Sequence, residues 1–347
     1  MKQTNYIKIG NRKIGPKFKP LVIFELGINH NGSLNLAKKI VDEAIKCGAE
    51  IIKHQTHIPS DEMSEEAKKI VPVHTKENIY DIISSCALNE KEELELKKYI
   101  EKKKAIFLST PFSREAVNRL IRFNVKAFKI GSGECNNYPL VDYIASFKKP
   151  IIISTGMNDL KSIKKSINII KKHKTKFAIL HTTNLYPTPH HLIRLNALNE
   201  IKKFFPNTLY GLSDHTGENY TSFAAVAMGA SIIEKHFIDK SSRTGPDISA
   251  SVNSDQMKDL IKGINLIYYA KPGGIKPVKE EKKTAEFAFA SVVSNKDIKV
   301  GEVLTKKNIW VRRPGTGDFS AEKYLKLIGK RAKKNIKKNT QIKKIHI

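Results

Sequence analysis

Short apolar runs alternate with amphipathic stretches along most of the chain. The runs are rich in isoleucine and lie at LVIFEL (21–26), EIIKHQ (50–55), AIFLST (105–110), AFKIGS (127–132), PIIIST (150–155), FAILHTT (177–183), LYGLSD (209–214) and IIEKHF (232–237). Such near-continuous apolar character is typical of strands that are buried on both faces of a parallel sheet. The stretches between them, such as 34–47 and 91–104, have the hydrophobic period of helices. Alternating strands and helices predict βαβ units, and eight strands are the number that closes a (β/α)8 TIM barrel.

Polar residues gather at the carboxyl ends of these predicted strands. In three strands two polar positions lie two residues apart, so both side chains point to the same face of the sheet. The pairs are Lys53 with Gln55, Ser213 with His215, and Glu234 with His236. TIM-barrel enzymes place their chemistry at this end of the barrel. An open, doubly wound sheet is the competing fold, but it would carry a glycine-rich phosphate loop after its first strand, and GINHNGS (27–33) is not one.

Segments outside the alternating pattern predict the rest of the organisation. Residues 6–15 read as a hairpin with a turn at Gly10 and Asn11, closing the bottom of the barrel. The segment 57–89, with Pro59 and Pro72, is long enough to cover the mouth of an active site. We expect the barrel domain to span 1–270, ending in a helix over 254–270. A linker rich in proline, glycine and charge follows at 271–284, and a small, mostly β domain occupies 285–347.

Composition places the chain among globular proteins. It is 40% hydrophobic and 28% charged, and no apolar run approaches the ~20 residues of a membrane span. The first fifteen residues lack the apolar core of a secretory signal. Three widely spaced cysteines, Cys47, Cys86 and Cys135, predict neither a disulfide framework nor a zinc knuckle. We therefore expect a cytoplasmic protein without a membrane partner.

The formal net charge of +28 is unusually high for 347 residues. A basic chain raises the possibility of a nucleic-acid or other polyanion binder. However, arginine, the preferred reader of bases and phosphates, occurs at nine positions, and the lysines fall mostly on the polar faces of predicted helices, as in 164–174. We expect a solvated helical surface and no nucleic-acid partner. The excess charge still attracts anionic substrates.

His215 and His236 form the first candidate constellation, because they end consecutive predicted strands. Neighbouring strands lie ~4.8 Å apart, so two imidazoles that face the mouth can share one divalent metal. Two nitrogen ligands leave positions for water and substrate oxygens, which favours Mn²⁺ or another catalytic metal over a closed zinc site. A pair of hydrogen-bonded histidines is the alternative.

The second constellation combines two lysines with hydroxyl and amide donors. Its members are Lys53, Lys129, Thr110, Ser132, Asn184 and Ser213, with Ser154 at a similar strand end. Such a set predicts a pocket for a small, strongly anionic group that carries phosphate and carboxylate. Ion pairing of the lysines with Glu25, Glu134 or Glu234 is the alternative. Glu25 and Glu134 themselves lie where they could transfer a proton or hold a water.

Several of these strings resemble the N-acetylneuraminate (sialic acid) synthases over nearly the whole chain. The strings are FELGINHNG (24–32), IIKHQT (51–56), STPF (109–112), FKIGSGECNNYPL (128–140), STGM (154–157), HTTNLYPTP (181–189), GLSDHT (211–216), EKHF (234–237), GPD (245–247), FAFASVV (287–293) and WVRRPGTGDFS (310–320). The resemblance implies a TIM barrel followed by an antifreeze-like (SAF) domain, and a domain-swapped homodimer. It also implies condensation of phosphoenolpyruvate with an open-chain N-acylated amino sugar, in which phosphate leaves by C–O cleavage.

The resemblance also implies roles for individual residues. His215 and His236 would hold the metal, Mn²⁺ first, with Mg²⁺ or Co²⁺ possible. Phosphoenolpyruvate would be bound by Lys53, Thr110, Lys129, Ser132, Ser154, Asn184 and Ser213. The sugar would contact Gln55, Tyr186 and Asp247, with Phe289 and Arg313 arriving from the partner subunit's tail. Glu25 or Glu134 would position the attacking water.

The resemblance is compatible with more than one amino sugar as the substrate. We expect N-acetylmannosamine, which gives N-acetylneuraminate. The alternative is a legionaminic or pseudaminic acid synthase that acts on a 2,4-diacetamido-6-deoxyhexose. A barrel enzyme for sugar phosphates would need an additional arginine cluster, which the predicted rim lacks. A polyanion- or carbohydrate-binding protein would not need the rim residues.

Overall fold

The computed structural model describes residues 6–71 and 77–347. The chain divides into two compact units, Met1–Pro272 and Gly273–Ile347. The division falls inside the predicted linker, 271–284. Each unit is described by itself.

A hairpin of two short antiparallel strands opens the first unit. Its strands are β1 (Ile7–Ile9) and β2 (Arg12–Ile14), joined by the predicted turn at Gly10 and Asn11. Their buried isoleucines belong to the same apolar cluster as Leu21 and Ile23 at the start of the next strand. The hairpin therefore closes the amino-terminal end of the sheet, as the sequence predicts.

Eight parallel strands form the sheet of the first unit. They are β3 (Leu21–Glu25), β4 (Ile51–Thr56), β5 (Ile106–Pro111), β6 (Phe128–Ile130), β7 (Ile151–Ser154), β8 (Phe177–Thr182), β9 (Leu209–Asp214) and β10 (Ile232–His236). Their order is β5-β4-β3-β10-β9-β8-β7-β6, and the end strands β5 and β6 lie side by side. The sheet is thus a nearly closed barrel, and the predicted (β/α)8 fold is confirmed.

Helices surround this barrel and shield its outer face. They are α1 (Leu34–Lys46), α2 (Pro59–Glu62), α3 (Ile79–Cys86), α4 (Glu90–Lys102), α5 (Arg114–Arg122), α6 (Tyr138–Ser146), α7 (Leu160–Lys172), α8 (Ala197–Phe204), α9 (Tyr220–Ala227) and α10 (Ser254–Ala270). Two of them begin with reciprocal capping boxes, formed by Asn89 with Glu92 and by Asn253 with Gln256. The main apolar core lies between helices and sheet. The predicted helix over 254–270 is confirmed.

The segment between β4 and α4 is the longest departure from the repeating pattern. It contains α2, a 3₁₀ turn at Glu65–Lys69 and α3. Pro72, which the sequence prediction included in this segment, lies outside the described residues. His57, at the start of the segment, packs its ring on Phe112, which lines the cavity described below.

The second unit has a small core of its own. Helix α11 (Lys282–Ala288) precedes strands β11 (Ser291–Ser294) and β12 (Ile309–Arg312), which pair antiparallel, and helix α12 (Tyr324–Leu327) follows. Isolated bridges such as Ile298 with Ile336 extend the β structure. A cluster of eight buried side chains, including Val292 and Leu304, forms the core. The predicted small, mostly β tail domain is therefore confirmed.

Three features that the composition raised can be located in the structure. The lysines of α7 are exposed while Ile163, Ile167 and Ile170 are buried. The three cysteines are buried and unbridged. Within 6–71 and 77–347, no helix has the length and apolar character needed to cross a membrane.

Candidate active site

A cavity of about 260 Å³ opens at the carboxyl ends of the barrel strands. Thirteen of the sixteen predicted site residues line it: Glu25, Lys53, Gln55, Thr110, Lys129, Ser132, Glu134, Ser154, Asn184, Tyr186, Ser213, His215 and His236. The predicted rim location is thus correct for these side chains. Their individual chemical roles stay predictions.

Strand register brings these side chains together. Glu25 on β3 is aligned with Lys53 on β4 and with His236 on β10. Ser213 on β9 is aligned with Glu234 on β10. Because positions two apart on a strand share a face, each predicted pair sends both side chains into the cavity.

Two buried lysines share carboxylates at the floor of the cavity. Lys53 Nζ lies 2.8 Å from Glu25 Oε1 and 3.9 Å from Glu234 Oε1, and Lys129 Nζ lies 3.5 Å from the same Glu234 oxygen. Ser213 donates a 2.9 Å hydrogen bond to Glu234. The ion pairs that the sequence left open as an alternative are therefore present, with Glu25 and Glu234 as the partners.

Burial and the neighbouring charges have opposite effects on the pKa values of these lysines and of Glu234. Burial alone would lower the pKa of Lys53, but Glu234 and Glu25 together raise it. At Lys129 burial prevails, and the pKa lies below its usual range. Burial opposes ionisation of Glu234, yet Lys129 and Lys53 hold its pKa well below the ordinary value. The floor is thus a charged lysine–carboxylate array that is pre-organised for an anionic group.

Glu134 differs from the other carboxylates. It lies on a 3₁₀ turn at Gly133–Asn136, directly after β6. Burial, followed by the nearby charge of Glu62, raises its pKa to about 7, although Lys129 acts in the opposite direction. A carboxyl group that titrates near neutrality can both give and accept a proton.

Hydroxyl and amide groups line the wall beside Lys129. Lys129 Nζ donates a 2.7 Å hydrogen bond to Ser154, and Ser132 Oγ accepts one of 3.1 Å from the backbone of Gly156. A β-carbon at Gly156 would collide with the Asn184 side chain. Glycine at this position therefore lets the backbone approach closely.

His215 and His236 lie next to each other, with ring centroids 5.3 Å apart. The Nδ1 of His215 is 3.0 Å from the carbonyl oxygen of Thr183, so it carries the proton and leaves a lone pair on Nε2. Burial, followed by the neighbouring His236, lowers the pKa of His215 to about 3. The ring is therefore neutral at physiological pH.

This pair fits a divalent metal ion as two of its ligands. Metal-bound histidine is neutral and usually donates its other N–H to an oxygen, as His215 does to Thr183. Among the residues that the structure describes, the buried Nδ1 of His236 has no hydrogen-bond partner, and Asp247 Oδ2 is 3.6 Å away. In the described part of the chain, no three His, Cys, Asp or Glu residues are arranged to hold a metal. Two protein ligands would leave an open coordination sphere, as catalytic metals require.

The predicted sugar contacts surround these histidines. The ring of Tyr186 stacks on His215 with centroids 4.3 Å apart and meets His236 edge-on. Asp247 reaches the backbone of Ile28 and lies beside His236 without lining the cavity itself. Gln55 donates a 2.9 Å hydrogen bond to Glu25.

Two predicted site residues belong to the second unit. Phe289 is 67% exposed, and Arg313 is also exposed. An aromatic ring exposed to this degree is available to a partner surface. The prediction that both serve the partner subunit's cavity stays a prediction.

Sequence reasoning left out four side chains that line the cavity. One of them is Glu234, which the sequence indicates as a polar strand end and a candidate partner for the lysines but not as a site residue. The others are Phe112, Met157 and Thr182. The position of Glu234, two residues before His236 on the same strand, indicates that its side chain also faces the cavity. Phe112 and Met157 lie beyond strand ends, and nothing in the pattern of their apolar side chains indicates a place in the cavity.

The barrel and its rim of lysines, carboxylates and histidines are typical of a TIM-barrel enzyme that acts on an anionic substrate. The family model described as the NeuB family matches residues 40–276, and the SAF domain model matches 289–347. The chain belongs to the NeuB family of sialic, legionaminic and pseudaminic acid synthases, which confirms the resemblance seen in the sequence. It is a transferase of that family.

Three similar proteins illustrate the range of the family. The N,N'-diacetyllegionaminic acid synthase of Campylobacter jejuni is 40% identical over 93% of this chain and 99% of its own. A pseudaminic acid synthase from the same species is 33% identical over 95% and 97%. The solved N-acetylneuraminic acid synthetase of Leptospira borgpetersenii is 29% identical, with a TM-score of 0.74, covering 81% of this chain and 95% of its own.

Proposed function

We propose that this enzyme condenses phosphoenolpyruvate with an open-chain 2,4-diacetamido-6-deoxyhexose to give an N,N'-diacetyllegionaminic acid and phosphate. This choice of sugar rests on the 40% identity with the Campylobacter legionaminic acid synthase. It replaces N-acetylmannosamine, the first expectation from sequence, with the alternative stated there. N-acetylmannosamine remains the second candidate because a sialic acid synthetase shares the fold and 29% of the sequence.

The observation that carries the proposal is the array of Lys53 and Lys129 around Glu234 beside two neutral histidines. Phosphoenolpyruvate carries its carboxylate and its phosphate ester on the same carbon, carbon 2. Two buried ammonium groups on different strands, flanked by Ser132, Ser154 and Asn184, offer charge-assisted hydrogen bonds to both. The protein's net charge of +28 attracts this anion from solution.

The rim residues then hold the sugar above the enol. Gln55, Tyr186 and Asp247 are the proposed contacts, and Arg313 of the partner's tail would hold a planar N-acyl oxygen in its guanidinium fork. A divalent ion at His215 and His236, Mn²⁺ first with Mg²⁺ or Co²⁺ possible, would polarise the aldehyde oxygen.

The bond changes balance as follows. Carbon 3 of phosphoenolpyruvate attacks the aldehyde carbon, whose oxygen takes a proton from Glu25 or Glu134 and becomes a hydroxyl. Water adds at the resulting cationic carbon 2 and returns a proton to that carboxylate. The new hydroxyl at carbon 2 then passes its proton to the departing phosphate as the C–O bond breaks, and carbon 2 becomes a ketone. Glu134, whose pKa is raised to about 7 by burial and by Glu62, is suited to this exchange.

Phosphate release with different sugars tests the proposal. The purified protein is mixed with phosphoenolpyruvate and Mn²⁺, and with N-acetylmannosamine, the manno-configured 2,4-diacetamido-6-deoxy sugar or its L-altro isomer. We expect the highest kcat/KM for the manno-configured diacetamido sugar and loss of turnover in EDTA. Preference for N-acetylmannosamine would restore the second candidate. Release that does not depend on any sugar would contradict the condensation.

A further inference from the structure

A line of hydrogen bonds leads from the segment after β4 to the carboxylate that pairs with Lys53. His57 Nδ1 lies 2.8 Å from Glu62 Oε2, and its Nε2 lies 3.0 Å from Gln55 Oε1. Gln55 Nε2 in turn donates at 2.9 Å to Glu25 Oε1. Glu25 completes the line with its 2.8 Å contact to Lys53.

The direction of each hydrogen bond in this line is determined. Glu25 is held by the Lys53 cation and accepts, so the amide of Gln55 must present its nitrogen to Glu25 and its oxygen to His57. Nε2 of His57 therefore donates. The opposite amide orientation would place the Gln55 oxygen against a carboxylate oxygen.

The other nitrogen of His57 also faces an acceptor. Nδ1 lies 2.8 Å from a Glu62 oxygen, and a lone pair on Nδ1 would repel the lone pairs of that carboxylate, so a proton lies between the two atoms. The His57–Glu62 pair therefore holds one more proton than a neutral ring and an ionised carboxyl group would.

Packing fixes His57 in place. Its side chain is buried, and its ring stacks on Phe112 with centroids 4.3 Å apart and an interplanar angle of 14°. Asp61, next to Glu62, accepts a 2.8 Å hydrogen bond from the backbone of Glu115 at the start of α5. The segment that carries Glu62 is thereby attached to the barrel.

We propose that His57 is a positioning residue that, backed by Glu62, fixes the amide of Gln55 and through it the carboxylate of Glu25 in the cavity. This inference rests on the proposed function, because Gln55 is the proposed sugar contact. Gln55 is half-buried and has a flippable amide, so without an outside donor it can turn its nitrogen away from Glu25. His57 removes that freedom before the substrate binds.

Steady-state kinetics of His57→Phe provides the first test. Phenylalanine keeps an aromatic ring against Phe112 but offers no donor to Gln55. We expect kcat/KM for the sugar to fall by about 10- to 100-fold, with the KM for phosphoenolpyruvate changed by less than about threefold. His57→Gln, which can still donate, should recover part of the loss. His173→Phe is the matched control, since His173 also pairs with a carboxylate, Asp142 at 2.8 Å, but lies away from the cavity.

A spectroscopic measurement does not depend on turnover or on the folding of His57→Phe. In ¹⁵N-histidine-labelled protein near neutral pH, one ring should have both nitrogens protonated and should change to a single protonated nitrogen in Glu62→Gln. Wild-type kinetics for the sugar retained in His57→Phe, or equal losses for both substrates, would overturn the inference while the proposed function stood. If the wild type used none of the sugars, the proposed function would fail, and the ¹⁵N spectra would still decide how His57 is held. If the ¹⁵N spectra of the wild type and of Glu62→Gln showed the same protonation for every histidine ring, the inference would be overturned.

Discussion

Lys53 Nζ and Glu25 Oε1 lie 2.8 Å apart, and both side chains are at most 4% exposed to solvent. Their strands, β3 and β4, are neighbours whose register aligns the two residues directly. Side chains buried to this degree stay ionised when each charge is paired with an opposite charge. The array of Glu25, Lys53, Glu234 and Lys129 satisfies that condition, and it keeps two ammonium groups at the floor of an open cavity.

Glu234→Gln should destabilise the barrel. Within the described residues, the change leaves Lys129 with no carboxylate at ion-pair distance and Lys53 with Glu25 alone. Loss of one partner from a buried ion pair typically costs about 3–5 kcal/mol. Urea unfolding should show a large fall in the midpoint. Glu65→Gln is the control, because its pair with Lys68 is exposed and should contribute little to stability. Equal midpoints for the two variants would contradict the described array.

His215→Ala should abolish metal binding without unfolding the protein. The neutral ring of His215 presents Nε2 as a ligand, and the variant leaves His236 alone. Calorimetric titration with Mn²⁺ should show binding in the wild type and none in the variant, with similar thermal unfolding midpoints. His173→Ala changes a half-buried histidine outside the cavity, and this variant should bind Mn²⁺ like the wild type. Near-normal Mn²⁺ affinity in His215→Ala would refute the metal assignment.

Glu134 should make the stability of the protein depend on pH. Burial raises its pKa from an ordinary 4.5 to about 7, so the native state binds the proton more tightly than the unfolded state does. The associated stabilisation is fully present below about pH 4.5 and is lost as the pH rises through about 7. The stability difference between the wild type and Glu134→Gln should therefore shift against the wild type from about pH 5 to about pH 8.

Urea midpoints of both proteins across this range test the Glu134 prediction. Glu65→Gln, at an 80% exposed side chain, gives the flat reference. A wild-type-minus-variant difference that does not change with pH would show that Glu134 titrates normally.

Mixing inactive variants tests the predicted sharing of sites between subunits. Arg313→Ala should weaken sugar binding much more than phosphoenolpyruvate binding, and Lys53→Ala should be inactive. In a mixed, domain-swapped dimer one of the two cavities would have both residues. Random exchange of subunits should therefore restore about a quarter of the wild-type activity. Failure to restore activity, once mass spectrometry shows mixed dimers, would contradict sharing.

The strands and the mouth of the barrel could be predicted because burial on both faces leaves a clear pattern in the sequence. Each predicted run corresponds to one observed strand, and Lys53 with Gln55 shows how a two-residue spacing identifies a shared face. The hairpin at Gly10 was also predictable from its turn residues.

The pairing of charges could not be predicted in the same way. The sequence offered Glu25, Glu134 and Glu234 as equivalent partners for the lysines, and three-dimensional placement alone separates them. Glu234 joins both lysines, while Glu134 on its 3₁₀ turn is left with a raised pKa. His57 gave no signal either, because its role depends on a contact with Glu62 across a turn.

Phosphoenolpyruvate labelled with ¹⁸O at its bridging oxygen tests the central claim most directly. The protein is incubated with this substrate, Mn²⁺ and the manno-configured 2,4-diacetamido-6-deoxy sugar. The ¹⁸O content of both products is then measured by mass spectrometry. The account predicts a nine-carbon diacetamido keto acid without the label, and phosphate that carries it. Label in the keto acid, or labelled pyruvate with unchanged sugar, would contradict it.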